Sequence, residues 1–285
     1  MQYITMNDGH TIPQLGFGVY MMTGDEIRRM VPEAIEAGYR HFDTANAYFN
    51  EVALGEALKA TGTPREEFFI TSKLFPQSYA TAQCGPDIDA TLERLGTDYL
   101  DLLLLHQPYG AYAEAWLALE EAVTAGKVRS IGLSNFPVHK IKEIMEIATI
   151  KPAVLQVEIN PYWNQHELKA QLADMGLGDV TLEGWYPFGH GDKGIMEEPV
   201  LVEIARAHDK SVAQVILRWA LQEGDVVFPK TLNPEHMRQN IDVFDFELTA
   251  DEMARINAIP QHPYYVVPEE APAFVLVQND YAKQI

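Results

Sequence analysis

The feature that most constrains the fold of this chain is a short apolar run followed by a helical segment, repeated at least seven times. The first six runs start roughly 25–30 residues apart and are near-continuous, which is typical of strands buried on both faces of a parallel sheet. The runs cover residues 39–43, 68–73, 100–106, 128–133, 154–159, 181–186 and 226–229. This alternation predicts either a doubly wound sheet or a (β/α)8 barrel.

The glycine pattern favours the barrel. No Gly-x-Gly-x-x-Gly motif follows an early strand, and the segment Gly16-Phe17-Gly18 lacks the third glycine and does not open a helix. A short run at 243–246 is the candidate for the eighth strand. Residues 3–16 alternate around Asn7-Asp8-Gly9, which predicts a hairpin that closes the bottom of the barrel. No linker divides the chain, so we expect a single α/β TIM-barrel domain over residues 1–285.

Composition and charge exclude several other classes of protein. The formal net charge is -20, which opposes binding to nucleic acid. No run of 18 apolar residues and no signal peptide is visible, so we expect a cytoplasmic protein without a membrane partner. Cys84 is the only cysteine, so neither an intrachain disulfide nor a cysteine zinc site can form.

Polar residues end three neighbouring strands of the predicted barrel. Asp43, Lys73 and His106 end the first three runs, and Tyr48 follows soon after Asp43. Active sites of α/β barrels lie at the carboxyl ends of the strands, so these side chains are expected to converge. A lone buried charge is costly, so Asp43 and Lys73 are expected to pair. Taken singly, each residue fits a structural ion pair or a core histidine equally well, but their convergence favours a site.

This group of residues fits the reduction of a carbonyl group. Lys73 would lower the pKa of the Tyr48 phenol, and Asp43 would hold Lys73 charged and in place. Neutral His106 would orient a carbonyl oxygen, and Tyr48 would protonate that oxygen as negative charge develops. None of these side chains supplies electrons, so the reaction needs a hydride cofactor.

At these residues the sequence resembles the aldo-keto reductase family along nearly its whole length. The resemblance implies a (β/α)8 barrel and a cytosolic, nicotinamide-dependent carbonyl reductase. The sequence resembles bacterial members that reduce keto sugars and small dicarbonyls. The motifs that carry the resemblance are GYRHFDTA at 38–45 with Tyr48 and Asn50-Glu51, ITSKL at 70–74, DLLLLH at 101–106, GLSNF at 132–136, QVEINPY at 156–162 and FPK at 228–230.

The resemblance also implies the roles of individual residues. The catalytic tetrad would be Asp43, Tyr48, Lys73 and His106, with Tyr48 as the general acid and no metal. The cofactor contacts would come from Ser134, Asn135 and Gln156 at the carboxamide, Trp185 stacked on the nicotinamide, Tyr186, Phe188 and Gly189 at the pyrophosphate, and Lys230, Thr231, His236 and Asn240 at the adenosine end. The substrate mouth would be formed by Tyr20, Phe49, Phe75 and Gln107. Taken alone, Trp185 is also consistent with core packing, and each residue of the mouth is equally consistent with surface packing.

The sequence departs from the family pattern at four places. Tyr186 replaces a serine of the cofactor clamp, the stretch at 177–181 is slightly longer than usual, and His236 replaces the arginine that binds the 2′-phosphate. Lys230 and Thr231 remain, so NADPH is still the expected cofactor. Without the arginine the preference for NADPH should be reduced, which also allows NADH. The tail at 260–285 matches no family motif, although in this family such a tail lies near the substrate mouth and shapes substrate choice.

Two other functions remain open on the sequence alone. His41 and Asp43 lie two residues apart on one strand and could join His106 in a metal-dependent hydrolase, although Lys73 would then crowd the ion. A non-enzymatic binding protein on the same fold is the second alternative. We expect a monomer that acts on a small carbonyl compound.

Overall fold

A computed structural model of the chain describes residues 1–275. Two antiparallel strands, β1 (Tyr3–Thr5) and β2 (Thr11–Pro13), form the predicted N-terminal hairpin. The remaining strands of the described part form one eight-stranded parallel sheet. They are β3 (Phe17–Gly18), β4 (His41–Asp43), β5 (Phe69–Leu74), β6 (Leu100–Leu105), β7 (Val128–Ser134), β8 (Val154–Glu158), β9 (Thr181–Trp185) and β10 (Val226–Val227). Residues 276–285 of the predicted tail lie outside the described residues.

The sheet closes on itself through the residues around β3. On one side β3 pairs with β4, with Phe17 opposite Phe42. On the other side Leu15 forms a parallel bridge with Val227, and the backbone N–H of Gly16 donates to the carbonyl oxygen of Val227 at 2.8 Å. The predicted (β/α)8 barrel is confirmed.

The closing strand is not the one that the sequence indicated. Residues 243–246 form no strand, and residues 15–18 occupy the place between β10 and β4. The carbonyl oxygens of Asp242 and Val243 instead accept hydrogen bonds from the side chains of Gln214 (2.8 Å) and Arg218 (3.4 Å). These contacts hold the segment against an outer helix and away from the sheet. The prediction failed because strand β3 is only two residues long, which is too short for an apolar pattern to reveal it.

Helices follow the strands and surround the barrel. The first begins at a capping box of Thr23 and Glu26 and ends at Gly38, whose φ of 106° favours glycine. The helices are α1 (Gly24–Ala37), α2 (Glu51–Ala60), α3 (Thr81–Leu95), α4 (Tyr112–Thr124), α5 (Val138–Met145), α6 (His166–Asp174), α7 (Lys193–Met196), α8 (Pro199–Ala207), α9 (Val212–Gln222), α10 (Pro234–Ile241) and α11 (Ala250–Asn257).

The hairpin covers the amino-terminal end of the barrel. Met6 and Ile12 are buried in one apolar cluster with Phe69, Val154 and Val226, which are the first residues of β5, β8 and β10. This packing excludes water from that end and leaves the carboxyl ends of the strands as the open face. Within residues 1–275, no helix is long and apolar enough to cross a membrane.

Candidate active site

The carboxyl ends of β4, β5 and β6 bring the four predicted catalytic side chains together. Asp43 ends β4, Lys73 lies near the end of β5, and His106 directly follows β6. The Nζ atom of Lys73 lies 2.6 Å from Oδ1 of Asp43 and 3.3 Å from the hydroxyl oxygen of Tyr48. The ring of His106 packs edge-on against the ring of Tyr48, with the centroids 5.6 Å apart. The four residues therefore form one contiguous group.

Lys73 is fully buried beneath this group. Its ammonium donates to the backbone carbonyl oxygen of Thr44 at 2.8 Å, in addition to Asp43 and Tyr48. Asp43 is 1% exposed and accepts a second hydrogen bond from Nε2 of Gln156 at 2.9 Å. The expected pairing of Asp43 with Lys73 thus lies in a fully desolvated position, where each charge depends on the other.

The burial of the group shifts its titration. Burial raises the pKa of Tyr48 well above its ordinary value, and the negative charge of Asp43 adds to the effect. From the sequence we expected Lys73 to lower this pKa, and that expectation was wrong because the burial of the phenol outweighs the attraction of Lys73, which the carboxylate at 2.6 Å partly offsets. Burial lowers the pKa of His106 well below its ordinary value, and Lys73 lowers it further. At neutral pH Tyr48 therefore carries its proton, and His106 is neutral.

The backbone at the rim of the barrel adopts unusual conformations. Asn135 follows β7 with a φ of 65°, and Tyr186 follows β9 with a φ of 53°. Met21, Phe49 and His190 also have positive φ values. Residues other than glycine rarely adopt a positive φ, and such backbone strain is concentrated at functional sites. The hydrogen bond from the backbone N–H of Asn135 to the carbonyl oxygen of Gln156, at 2.9 Å, holds the first of these turns in place.

A cleft of about 810 Å³ opens above the group. Most of the residues that the sequence predicted for catalysis, cofactor and substrate line this cleft: Asp43, Tyr48, His106, Ser134, Asn135, Gln156, Trp185, Tyr186, Phe188, Lys230, Tyr20, Phe75 and Gln107. Trp185 donates from Nε1 to Oδ1 of Asn135 at 3.1 Å, so its ring is held at the wall by a hydrogen bond.

Five predicted residues other than Lys73 lie outside the lining of the cleft. Phe49 packs against an apolar cluster that includes Phe75 and lies next to Tyr48 in the chain. Gly189 has a φ of 56° and packs under the ring of Tyr264, where an added Cβ would lie 2.5 Å from a ring atom. The other three belong to the segment after β10: Thr231, the exposed His236 and the buried Asn240.

The cleft also contains residues for which the sequence predicted no particular contact. Tyr264, Tyr265 and Phe274 come from the C-terminal tail, which the resemblance placed near the substrate mouth, and they line the cleft. Behind the cleft, Glu183 on β9 is fully buried and accepts a hydrogen bond from Nε2 of Gln156 at 2.7 Å. The signal for Glu183 was an acidic residue inside a predicted strand, whereas the position of the tail was implied by the family resemblance and by no motif of its own.

Glu158 holds the start of the tail against the barrel. Its two carboxylate oxygens accept the backbone N–H groups of Tyr264 and Tyr265, both at 2.9 Å. The hydroxyl of Tyr264 donates to Oδ2 of Asp192 at 2.5 Å, and this bond lowers the pKa of Asp192. The tail thereby connects β8 to the loop that follows β9.

We expect Tyr264→Phe to loosen the loop at 186–192 and to leave the barrel intact. The substitution keeps the ring over Gly189 but removes the hydrogen bond to Asp192. The amide hydrogens of 189–192 should exchange faster, and the cofactor should bind about three- to tenfold more weakly, the scale of one hydrogen bond. Hydrogen exchange and fluorescence titration measure these effects, with Tyr162→Phe, which loses a bond to Glu198, as the control. Unchanged exchange in the loop would contradict the assigned contact.

The comparisons with known proteins agree with this geometry. The model of the aldo/keto reductase family matches residues 14–192 and 195–261. The chain belongs to the aldo/keto reductase family. It is an NAD(P)H-dependent oxidoreductase of that family, with the barrel that the sequence predicted.

Individual aldo/keto reductases are similar over most of the chain. An aldo-keto reductase of Mycobacterium sp. is 43% identical over 263 residues, covering 90% of each chain. The glyoxal reductase of Bacillus subtilis is 42% identical over 260 residues, covering 90% of this chain and 92% of its own. An aldo-keto reductase of Bombyx mori, solved in complex with NADP, superposes with a TM-score of 0.86 at 35% identity, covering 93% of this chain and 95% of its own.

Membership in this family does not favour the metal-dependent hydrolase that the sequence left open. Among residues 1–275, no group of three or more histidine, cysteine, aspartate or glutamate side chains is placed to hold a metal ion. His41 lies 3.4 Å from Glu183, and Asp43 is bound to Lys73.

Proposed function

We propose that this enzyme reduces an aldehyde or ketone to an alcohol, with Tyr48 as the general acid. The observation that supports the proposal is the position of Lys73, whose ammonium lies 3.3 Å from the phenol and 2.6 Å from Asp43. A phenol that has given up its proton becomes an anion, and a fixed ammonium beside it stabilises that anion. The proton is therefore available at the hydroxyl of Tyr48, where a carbonyl oxygen would gain negative charge.

The other two residues of the group prepare this proton transfer. His106 is neutral and lines the cleft beside Tyr48, so its imidazole can hydrogen-bond the carbonyl oxygen and orient it toward the phenol. Asp43 keeps the ammonium of Lys73 in place and charged. Phe75 packs on the His106 ring at a centroid distance of 5.4 Å and limits its rotation.

The residues along the far wall fit a nicotinamide cofactor. Nε2 of Gln156 donates to Asp43 and Glu183, which leaves the amide oxygen to accept from a carboxamide. We propose that Ser134, Asn135 and Gln156 hold the carboxamide and that Trp185 stacks on the ring. When bound in reduced form, this cofactor supplies the hydride for the reduction. Backbone groups of Tyr186, Phe188 and Gly189 would meet the pyrophosphate.

We propose that Lys230 and Thr231 bind the 2′-phosphate of NADPH, with His236 and Asn240 beside the adenosine. Lys230 lines the cleft and is exposed. Arg238, which lies on the same helix as His236, is 3.8 Å from Glu33 and 3.4 Å from Glu235, so it is engaged by acidic partners. The phosphate would therefore be held with one fixed cation fewer than in the family pattern, which supports use of both NADPH and NADH.

We expect His236→Arg to tighten NADPH binding about tenfold and to leave NADH binding nearly unchanged. Arginine is always charged and forms bidentate bonds to phosphate, each worth about 1–2 kcal/mol net. Fluorescence titration of both cofactors measures this, with His236→Gln as the control that replaces the imidazole and adds no charge. A ratio of NADPH to NADH affinity in the wild type no different from that in the glutamine variant would remove His236 from the site.

The substrate side of the cleft is aromatic. Tyr20, Phe75, Trp185 and Phe274 line it together with Gln107, while Phe49 packs behind Phe75. Such a wall fits an uncharged carbonyl compound, and the similar Bacillus subtilis protein is named for the reduction of glyoxal, a small dicarbonyl. We propose small dicarbonyls or keto sugars as substrates, bound by the chain as a monomer.

One assay tests the proposed reaction. The absorbance of NADPH or NADH at about 340 nm should fall when aldehydes, α-dicarbonyls or keto sugars are added to the purified protein. Light scattering of the same sample tests the monomer. If both cofactors bind and no carbonyl compound is reduced, the chain is a binding protein on this fold and the proposed function is wrong.

A further inference from the structure

A chain of polar side chains runs through the barrel interior behind the catalytic group. Glu183, on β9, lies between Gln156 and His41 and is fully buried. One of its oxygens, Oε2, accepts from Nε2 of Gln156 at 2.7 Å, and the same nitrogen donates to Oδ2 of Asp43 at 2.9 Å. Glu183 is thus one amide away from the carboxylate that holds Lys73.

The second oxygen of Glu183 lacks a hydrogen-bond donor. Oε1 of Glu183 lies 3.4 Å from Nε2 of His41, and within residues 1–275 this oxygen accepts no hydrogen bond. The other ring nitrogen, Nδ1 of His41, lies 3.4 Å from the carbonyl oxygen of Pro13. A carbonyl oxygen only accepts, so a neutral ring that donates to it carries its hydrogen on Nδ1 and has none on Nε2 to give to Glu183.

A carboxylate oxygen that no group donates to is costly in a dry interior. The hydroxyl of Thr71 lies 3.0 Å from Nε2 of His41 and bonds that ring, so it does not supply a donor to Oε1 of Glu183. A proton on Oε1 removes the cost: the carboxyl group is then neutral, can donate toward Nε2 of His41 and still accepts from Gln156.

We propose that Glu183 is a positioning residue, whose neutral carboxyl group fixes Gln156 against the cofactor site and keeps a second negative charge away from Asp43. This inference rests on the proposed carbonyl reduction. Burial raises the pKa of Glu183 to about 8, and the charge of Asp43 acts in the same direction. Burial also lowers the pKa of His41 to about 3, so that ring is neutral. The polar groups that face Glu183 from neighbouring elements are His41 and Asp43 on β4, Thr71 and Lys73 on β5, and Gln156 on β8.

The loss of this proton would weaken the catalytic acid. An ionised Glu183 adds a negative charge to the group and raises the pKa of Tyr48 further, so the phenol becomes a poorer proton donor. It would also leave two carboxylates on one amide of Gln156. We therefore expect kcat for carbonyl reduction to fall as the pH rises through the range in which Glu183 ionises.

The first experiment compares pH profiles of kcat and KM in the full-length enzyme with a saturating reduced cofactor. Glutamine can donate to His41 and accept from Gln156, as the neutral carboxyl does, but it cannot ionise. At about pH 7, Glu183→Gln should keep kcat within about threefold of the wild-type value. We expect kcat of the wild type to fall about tenfold by about pH 9, and this fall should be absent in Glu183→Gln. Glu183→Leu removes the acceptor for Gln156 and should weaken cofactor binding about tenfold at every pH.

The second experiment needs no turnover. The ordinary pKa of a glutamate is 4.5, so between that value and about 8 the folded chain holds one proton more than the unfolded chain at Glu183. The stability contributed by this group is complete below pH 4.5 and is lost as the pH rises to about 8. Glu183→Gln does not have this loss. The melting temperature of the variant minus that of the wild type should therefore increase from about pH 5 to about pH 8 and stay constant above about pH 8.

A matched control separates positioning from burial. Asp225 is also buried, its pKa is raised by burial to about 7, and it pairs with Lys169 at the opposite end of the barrel. Asp225→Asn should change the pH dependence of melting but not the pH profile of kcat. The proposal is overturned if Glu183→Gln has the wild-type pH profile of kcat, or if its melting temperature follows that of the wild type from pH 5 to 8. A chain that reduces no carbonyl compound refutes the proposed function, while the melting data still decide the protonation of Glu183.

Discussion

Tyr48→Phe is expected to lower kcat for carbonyl reduction at least about a hundredfold, the usual scale for general acid catalysis. The substitution removes the proton donor and preserves the ring that packs against His106 and Tyr20. The hydroxyl of Tyr48 receives a hydrogen bond from Lys73, which retains Asp43 and the carbonyl of Thr44 as partners. Folding and cofactor affinity should therefore change little.

The measurement is single-turnover reduction of an aldehyde, together with titration of the cofactor. Tyr20→Phe is the matched control, because Tyr20 lines the same cleft and its ring centroid lies 4.8 Å from that of Tyr48. This control should keep kcat within a few-fold. Near wild-type turnover in Tyr48→Phe would show that another group, or water, supplies the proton.

Lys73→Met is expected to abolish measurable turnover and to destabilise the fold by about 3–5 kcal/mol, the scale for removing one partner of a buried ion pair. The side chain of Lys73 is fully buried, and its loss leaves Asp43 with Gln156 as its remaining side-chain partner among residues 1–275. Burial raises the pKa of Asp43 and Lys73 opposes that shift, so without Lys73 the carboxyl group will take up a proton more readily. The loss of stability should therefore be smaller in acid and larger at neutral pH.

The double variant Asp43→Asn with Lys73→Met tests the pairing. It removes both charges, so it should recover most of the stability but none of the turnover. Urea denaturation measures the stability of each variant. Lys127→Met, which breaks an exposed pair with Asp89, is the control and should cost no more than about 1 kcal/mol. If Lys73→Met is as stable as this control, then Asp43 does not depend on Lys73.

The polar residues at the ends of the strands could be predicted because each lies where a predicted strand ends. Asp43, Lys73 and His106 end the first three runs, and the run before His106 is almost wholly leucine. In a parallel barrel the carboxyl ends of all strands lie on one face, so sequence position translates directly into spatial convergence. The same logic located Gln156 and Trp185 on the wall of the cleft. This reasoning needs only the order of strands and not their exact contacts.

Short elements and distant contacts could not be predicted in this way. The two residues of β3 carry no periodic signal, and only closure of the sheet against Val227 identifies their place. The tail reaches the cleft because Glu158 accepts two of its backbone N–H groups, a pairing of residues more than a hundred positions apart. Backbone hydrogen bonds of this kind do not depend on the side chain of the donor, so they leave no mark in the sequence.

The direction in which the catalytic groups titrate was decided by the tertiary structure alone. The sequence supplied a phenol and an ammonium, from which a lowered pKa of Tyr48 was expected. The fold buries both and places Asp43 2.6 Å from Lys73, so the desolvation of the phenolate outweighs the attraction of an ammonium that is already paired with a carboxylate. The sequence thus determined which chemical groups meet at the mouth of the barrel, because strand order brings them together. Their protonation states depend on distances of a few ångströms and on how far each group is buried, and only the packed structure sets these.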